Sequence, residues 1–123
     1  MALSAAALYV PLPEVHDESG RIDASKVAEF IGIGLPQLAA ALGASYPAVH
    51  KTPDAPSLQR GLAPIKRTLS LLDRATRNRK EARAWLNSAH PDLDEKTPLE
   101  VILSGHADAV VTLLENALNG HPA

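Results

Sequence analysis

The chain has 123 residues, 46% of them hydrophobic but only 3% aromatic, with one Trp, one Phe and no Cys. That is enough for one compact domain, or two very small ones sharing a core. The core must be built of Leu, Ala, Val and Ile, which suits packed helices better than a β-sandwich, and the lack of cysteine excludes disulfides and thiolate metal sites. The net charge of −2 hides an asymmetry: five acids against two bases over residues 1–50, three against nine over 51–83, and six against one over 84–123. A basic middle between acidic flanks either faces a phosphate backbone or is a solvated helix surface.

In chain order, residues 1–21 form a proline-containing leader without sustained periodicity. Its apolar start, Met1 to Val10, lacks a basic n-region and is stopped by Pro11 and Pro13. No segment approaches a membrane-spanning length, so a cytoplasmic protein without membrane association is expected. Asp23 can cap a helix through Ile31 ended by Gly32, and Pro36 fits the first turn of a helix from Leu35 to Leu42 ended by Gly43. Ser45 caps a short helix from Tyr46 to about Lys51, stopped by Pro53. After a loop, a helical stretch from Leu58 to Asp73 keeps Leu58, Leu62, Ile65, Leu69 and Leu72 in register, although Gly61 and Pro64 should bend or interrupt it. A short helix from Arg79 to Leu86 precedes a turn at His90-Pro91-Asp92. Thr97-Pro98-x-Glu100 is a helix start that ends near Ser104 before Gly105. The last helix carries Ala107, Val110, Val111, Leu114 and Leu118 on one stripe, widened by Ala109, Leu113 and Ala117. So wide an arc faces either the core alone or the core and a second contact. No strand-like alternation appears; the fold class is all-α.

The order Ala84-Trp85-Leu86, a turn ending in Leu93, Thr97-Pro98-Leu99-Glu100, Gly105 and Val110-Val111-x-Leu113-Leu114 closing on Gly120 resembles the C-terminal toxin-binding domain of Xre/MbcA/ParS antitoxins, partners of RES-domain toxins that destroy NAD. One departure is visible. Where that family usually has one or two glycines after the turn leucine, this chain has Asp94-Glu95, which leaves the backbone path at the turn open. The resemblance implies toxin contacts at Leu99, Leu113, Leu114, Ala117, Leu118, Gly120 and His121. A lone Trp on a short helix, Trp85, reads as a core residue.

Upstream, Leu38-Ala39, Leu42-Gly43 and Val49 sit where a helix-turn-helix needs a small contact residue, a turn glycine and apolar anchors, and they resemble the Xre-type DNA-binding unit. In that resemblance Ser45, Tyr46, His50 and Lys51 face DNA, supported by the basic residues Lys66, Arg67 and Arg74. Ser45 as a plain cap, Tyr46 on the core and His50 as a surface residue are equally open. The implied organisation is a leader (1–21), an Xre-like helix-turn-helix domain with a basic connecting helix (22–76) and a small helical toxin-binding domain (77–123). The implied function is that of a type II antitoxin, occluding a RES toxin's active site and autorepressing its operon on operator DNA as a homodimer or a larger hetero-oligomer with toxin. A stand-alone helix-turn-helix transcription regulator, dimerised by its C-terminal helices, is the alternative. No catalytic residue, metal site or cofactor is expected: the five histidines are scattered, and no phosphate loop or nucleophile elbow occurs.

Overall fold

Most helices in the described part of the chain, residues 12–120 of a computed structural model, start or stop on a residue whose chemistry accounts for it. Helix α1 (Ala24–Ile31) begins where the Asp23 carboxylate accepts the Ser25 and Lys26 amides at 2.9 and 3.2 Å, and ends at Gly32 in the left-handed region. Helix α2 (Leu35–Ala41) has a proline in its first turn, and α3 (Tyr46–Lys51) starts on the Ser45 hydroxyl, which accepts from the Ala48 N–H at 3.3 Å. Helix α5 (Arg79–Leu86) is capped by the Asn78 side chain. Helix α6 (Pro98–Leu103) carries the reciprocal cap foreseen in the sequence: the Glu100 N–H donates to the Thr97 hydroxyl at 3.1 Å and the Thr97 N–H to the Glu100 carboxylate at 3.2 Å. Helix α7 (Ala107–Leu118) follows at once. Among the described residues there is no strand, and no helix is long and apolar enough to cross a membrane.

Helix α4 (Gln59–Ala75) runs uninterrupted through Gly61 and Pro64, after a 3-10 turn at Pro56–Leu58. An interior proline costs about 3 kcal/mol through its missing N–H and its ring. Against that, Leu62, Ile65, Leu69, Leu71 and Leu72 are all buried, and each such side chain contributes roughly 1.5–3 kcal/mol. Packing outweighs propensity. Gly61 leaves room for a neighbour: a Cβ there would lie 2.9 Å from Leu42 Cδ2 and push that side chain, at the end of α2, aside.

The most extensive helix pairing is α4 with α7, and one contiguous core joins both ends of the chain, from Leu12 and Val15 through Phe30, Leu38 and Leu69 to Val110 and Leu114. From Leu12 onward the leader therefore belongs to the fold. Its return loop is fastened by Asp17, whose Oδ1 accepts from the Ser19 N–H at 2.9 Å, the Ser19 hydroxyl at 2.6 Å and the Arg21 N–H at 3.1 Å. The apolar start Met1–Pro11 and the predicted contact His121 lie outside the described residues.

The Asp94-Glu95 turn resolves the question left by the missing glycines. A 3-10 turn at Pro91–Leu93 leads into a loop closed by the His90 N–H to the Lys96 carbonyl at 3.1 Å and the Glu95 N–H to the His90 carbonyl at 3.1 Å. Closing it places Asp94 at φ 55 and Glu95 at φ 64, the only non-glycine residues with positive φ among those described. The backbone takes a glycine-like path with two acidic residues on it. A left-handed residue other than glycine costs roughly 1–2 kcal/mol, of which glycine's extra unfolded-state freedom cancels about half. Asp94→Gly and Glu95→Gly should each therefore stabilise the protein by about 0.5–1 kcal/mol, read as a higher urea midpoint at constant slope.

Candidate functional site

The C-terminal ends of α4 and α7 and one flank of α5 enclose an apolar groove of about 330 Å³. Its walls are Leu72 and Ala75 from α4, Trp85 from α5, and Leu113, Leu114 and Ala117 from α7, with Thr76, Glu81, His90 and Asn116 supplying the polar atoms. The local sequence dictates this arrangement. On α5 the buried residues are Ala82 and Leu86, so Trp85, one turn from Ala82, flanks the buried stripe and stands half-exposed over the groove. On α7 the stripe Ala107, Val110, Val111 and Leu114 is buried, while Ala117 is exposed and Leu113 half-buried.

Of the toxin contacts implied by the sequence, the fold brings Leu113, Leu114 and Ala117 together in this groove. Leu114, 3% exposed, is its floor and part of the core. Leu118 is half-buried against the core, Leu99 is half-buried on α6, and Gly120 is an exposed helix end at φ 73; none of the three lines the groove. Trp85, read from the sequence as core, is among the lining residues that sequence reasoning passed over, with Leu72, Ala75 and Glu81. The signal for Trp85 was its place at the edge of a two-residue apolar stripe, where a side chain of that size overhangs the stripe.

Residues 71–120 match the family described as the antitoxin Xre/MbcA/ParS C-terminal toxin-binding domain. The match spans 50 of the chain's 123 residues. The toxin-binding domain so defined contains all ten groove residues. The match supports an antitoxin role for the chain. No curated protein and no solved structure matches the chain.

At the other end, α2 and α3 form a helical hairpin whose inner residues Leu38, Ala39 and Val49 are buried, with Gly43 at φ 71 in the turn. Its exposed side brings together Ser45, Tyr46, His50 and Lys51; the Tyr46 and His50 rings lie 5.5 Å apart. Arg67 and Arg74, seven residues apart and thus on one face of α4, are exposed, and Lys66 is half-buried. Other bases of the positive stretch serve the fold instead. Arg83 donates to the Phe30 carbonyl at 3.0 Å and to the Glu29 carbonyl at 2.5 Å, closing the last turn of α1, and Arg79 lies 3.6 Å above the Phe30 ring while pairing with Glu14 at 2.6 Å. These contacts tie the toxin-binding domain to the hairpin's neighbour α1.

Arg83 satisfies helix-end carbonyls with a charged donor, so Arg83→Met should cost about 2 kcal/mol. Arg83→Lys should recover only part of that, because an ammonium has no fork to reach two carbonyls. Chemical denaturation of the three proteins checks both.

Proposed function

We propose that this chain is the antitoxin of a type II toxin–antitoxin system that neutralises a RES-type, NAD-degrading toxin by covering its active site. The observation that carries the reading is the toxin-binding domain at residues 71–120 with an open apolar groove on its surface. Neutralisation is then a matter of buried area: the antitoxin holds a surface over the mouth of the toxin's NAD pocket, and substrate is excluded without chemistry on the antitoxin's side. The toxin is the enzyme. Leu99, Leu118 and Gly120 would lie at the margin of that contact, around the centre formed by Leu113, Leu114 and Ala117.

The α2–α3 hairpin supports a second activity of the same protein, autorepression through operator DNA, with the part of the chain before residue 71 carrying DNA binding and the part from residue 71 on, which includes the groove walls Leu72, Ala75 and Thr76, carrying toxin binding. Among the described residues, Lys51, Lys66, Arg67 and Arg74 form no ion pair, which leaves their charge for phosphates. Helix α3 is only six residues long and carries no Arg, so backbone contacts would dominate and spacing within a dimer would set specificity.

In an NAD-consumption assay with the RES-type toxin, a stoichiometric excess of this protein should abolish NAD loss; undiminished loss would refute the proposal. On promoter DNA, Lys51→Ala should weaken binding to all sequences alike and lower the salt slope by about one unit. An unchanged slope would make the basic stretch a solvated surface.

A further inference from the structure

The groove's electrostatics point to the chemistry of what enters it. It lies where the C-terminal ends of two helices meet, α4 closing at Ala75 and α7 at Leu118, and both Ala75 and Ala117 are in its wall. Each helix C-terminus carries a partial negative charge. Helix α7 has no basic residue in its last turn to offset it, and α4 has only Arg74. Glu81, in the first turn of α5, adds a full negative charge to the lining. Its carboxylate meets only Arg77, through the backbone N–H at 3.4 Å and the guanidinium at 3.2 Å; that guanidinium belongs to a side chain that is 89% exposed, a kind of ion pair worth little and easily exchanged. The walls are otherwise largely apolar, and Trp85 supplies an aromatic surface. At about 330 Å³ the groove is at the small end of ligand sites, a size for one or two side chains of a protein partner.

An apolar groove with a negative charge in its lining fits a long aliphatic stem carrying a cationic head. We propose that the groove is the receptor for an arginine or lysine side chain projecting from a basic segment of the toxin, its stem lying along Trp85 and Leu113 and its head meeting Glu81 and the carbonyl ends of α4 and α7. The net acidity of residues 84–123, six acids against one base, is the matching long-range field, which speeds encounter with such a segment. Arginine suits the place best, since its planar head stacks on indole and gives two donors to a carboxylate. This assignment rests on the toxin-binding reading above and adds which partner group the site holds.

Trp85 is the chain's single tryptophan, so an antitoxin grown with 5-fluorotryptophan gives one fluorine resonance that reports on the groove alone. Adding unlabelled RES-type toxin should shift that resonance at the stoichiometry found by calorimetry. Glu81→Gln should weaken toxin binding about tenfold, as expected for loss of one charge-assisted contact. Ala117→Arg, a change at an exposed helical position that fills the groove and brings a like charge, should weaken it about a hundredfold or more with an unchanged melting temperature. Asp108→Asn, which removes an equal charge from α7 outside the groove, should bind as the parent does. A toxin complex that forms with the resonance unmoved, or with Glu81→Gln and Ala117→Arg binding normally, overturns the groove assignment and leaves the antitoxin role standing. A resonance that moves when the antitoxin alone is concentrated assigns the groove to a second copy and also overturns it. Absence of any complex overturns both readings.

Discussion

The pairing of α4 with α7 is the contact on which the rest of the structure depends. Helix α4 contributes Leu62, Ile65, Leu69 and Leu72 to the core and α7 contributes Val110, Val111 and Leu114, and the other helices complete that core. The pairing joins a helix from the basic middle of the chain to one from its acidic end. It also fixes the relation of the hairpin α2–α3 to the toxin-binding domain, because α4 meets the end of α2 at Gly61 and forms the groove wall at Leu72 and Ala75. A partner seated in the groove therefore touches the helix against which the hairpin leans. The Arg79 and Arg83 contacts to Phe30 and Glu29 make a second tie between the same two parts.

Much of this was legible in the sequence, for reasons that are local. Asp23, Ser45, Asn78 and Thr97 have side chains that accept backbone N–H groups, and Gly32, Gly43 and Gly105 take the positive φ that ends a helix. A cap and a stop signal bracket a helix whatever surrounds it, so the boundaries of α1, α3, α5 and α6 follow within a residue. The all-α class follows from the same signals together with the scarcity of aromatics.

What the sequence left hidden depends on contacts between distant segments. Pro64 reads as a break because its cost is local, whereas the burial that outweighs it comes from α7, more than forty residues later. Asp94 and Glu95 read as a departure from glycine, yet the loop closed between His90 and Lys96 holds them in the glycine conformation. Arg79 and Arg83 look like members of a charge run, and only the fold shows them clasping α1. The groove is hidden for the same reason: Trp85, Leu113 and Leu72 are far apart in the chain and meet only once three helices are docked. Of the expected contacts, Leu113, Leu114 and Ala117 on α7 came together there, whereas Leu99 on α6 and Leu118 at the end of α7 lie aside.

The central claim is that the partner is held by the surface formed where α4, α5 and α7 meet. Amide hydrogen exchange of this protein, alone and in complex with the toxin proposed as its partner, tests it most directly. The account predicts added protection at the ends of α4 and α7 and along α5, between Leu72 and Ala117, with the α2–α3 hairpin unchanged in its contact residues Ser45 to Lys51. Protection confined to Ser45–Lys51, or spread evenly over the chain with no increase between Leu72 and Ala117, would contradict it.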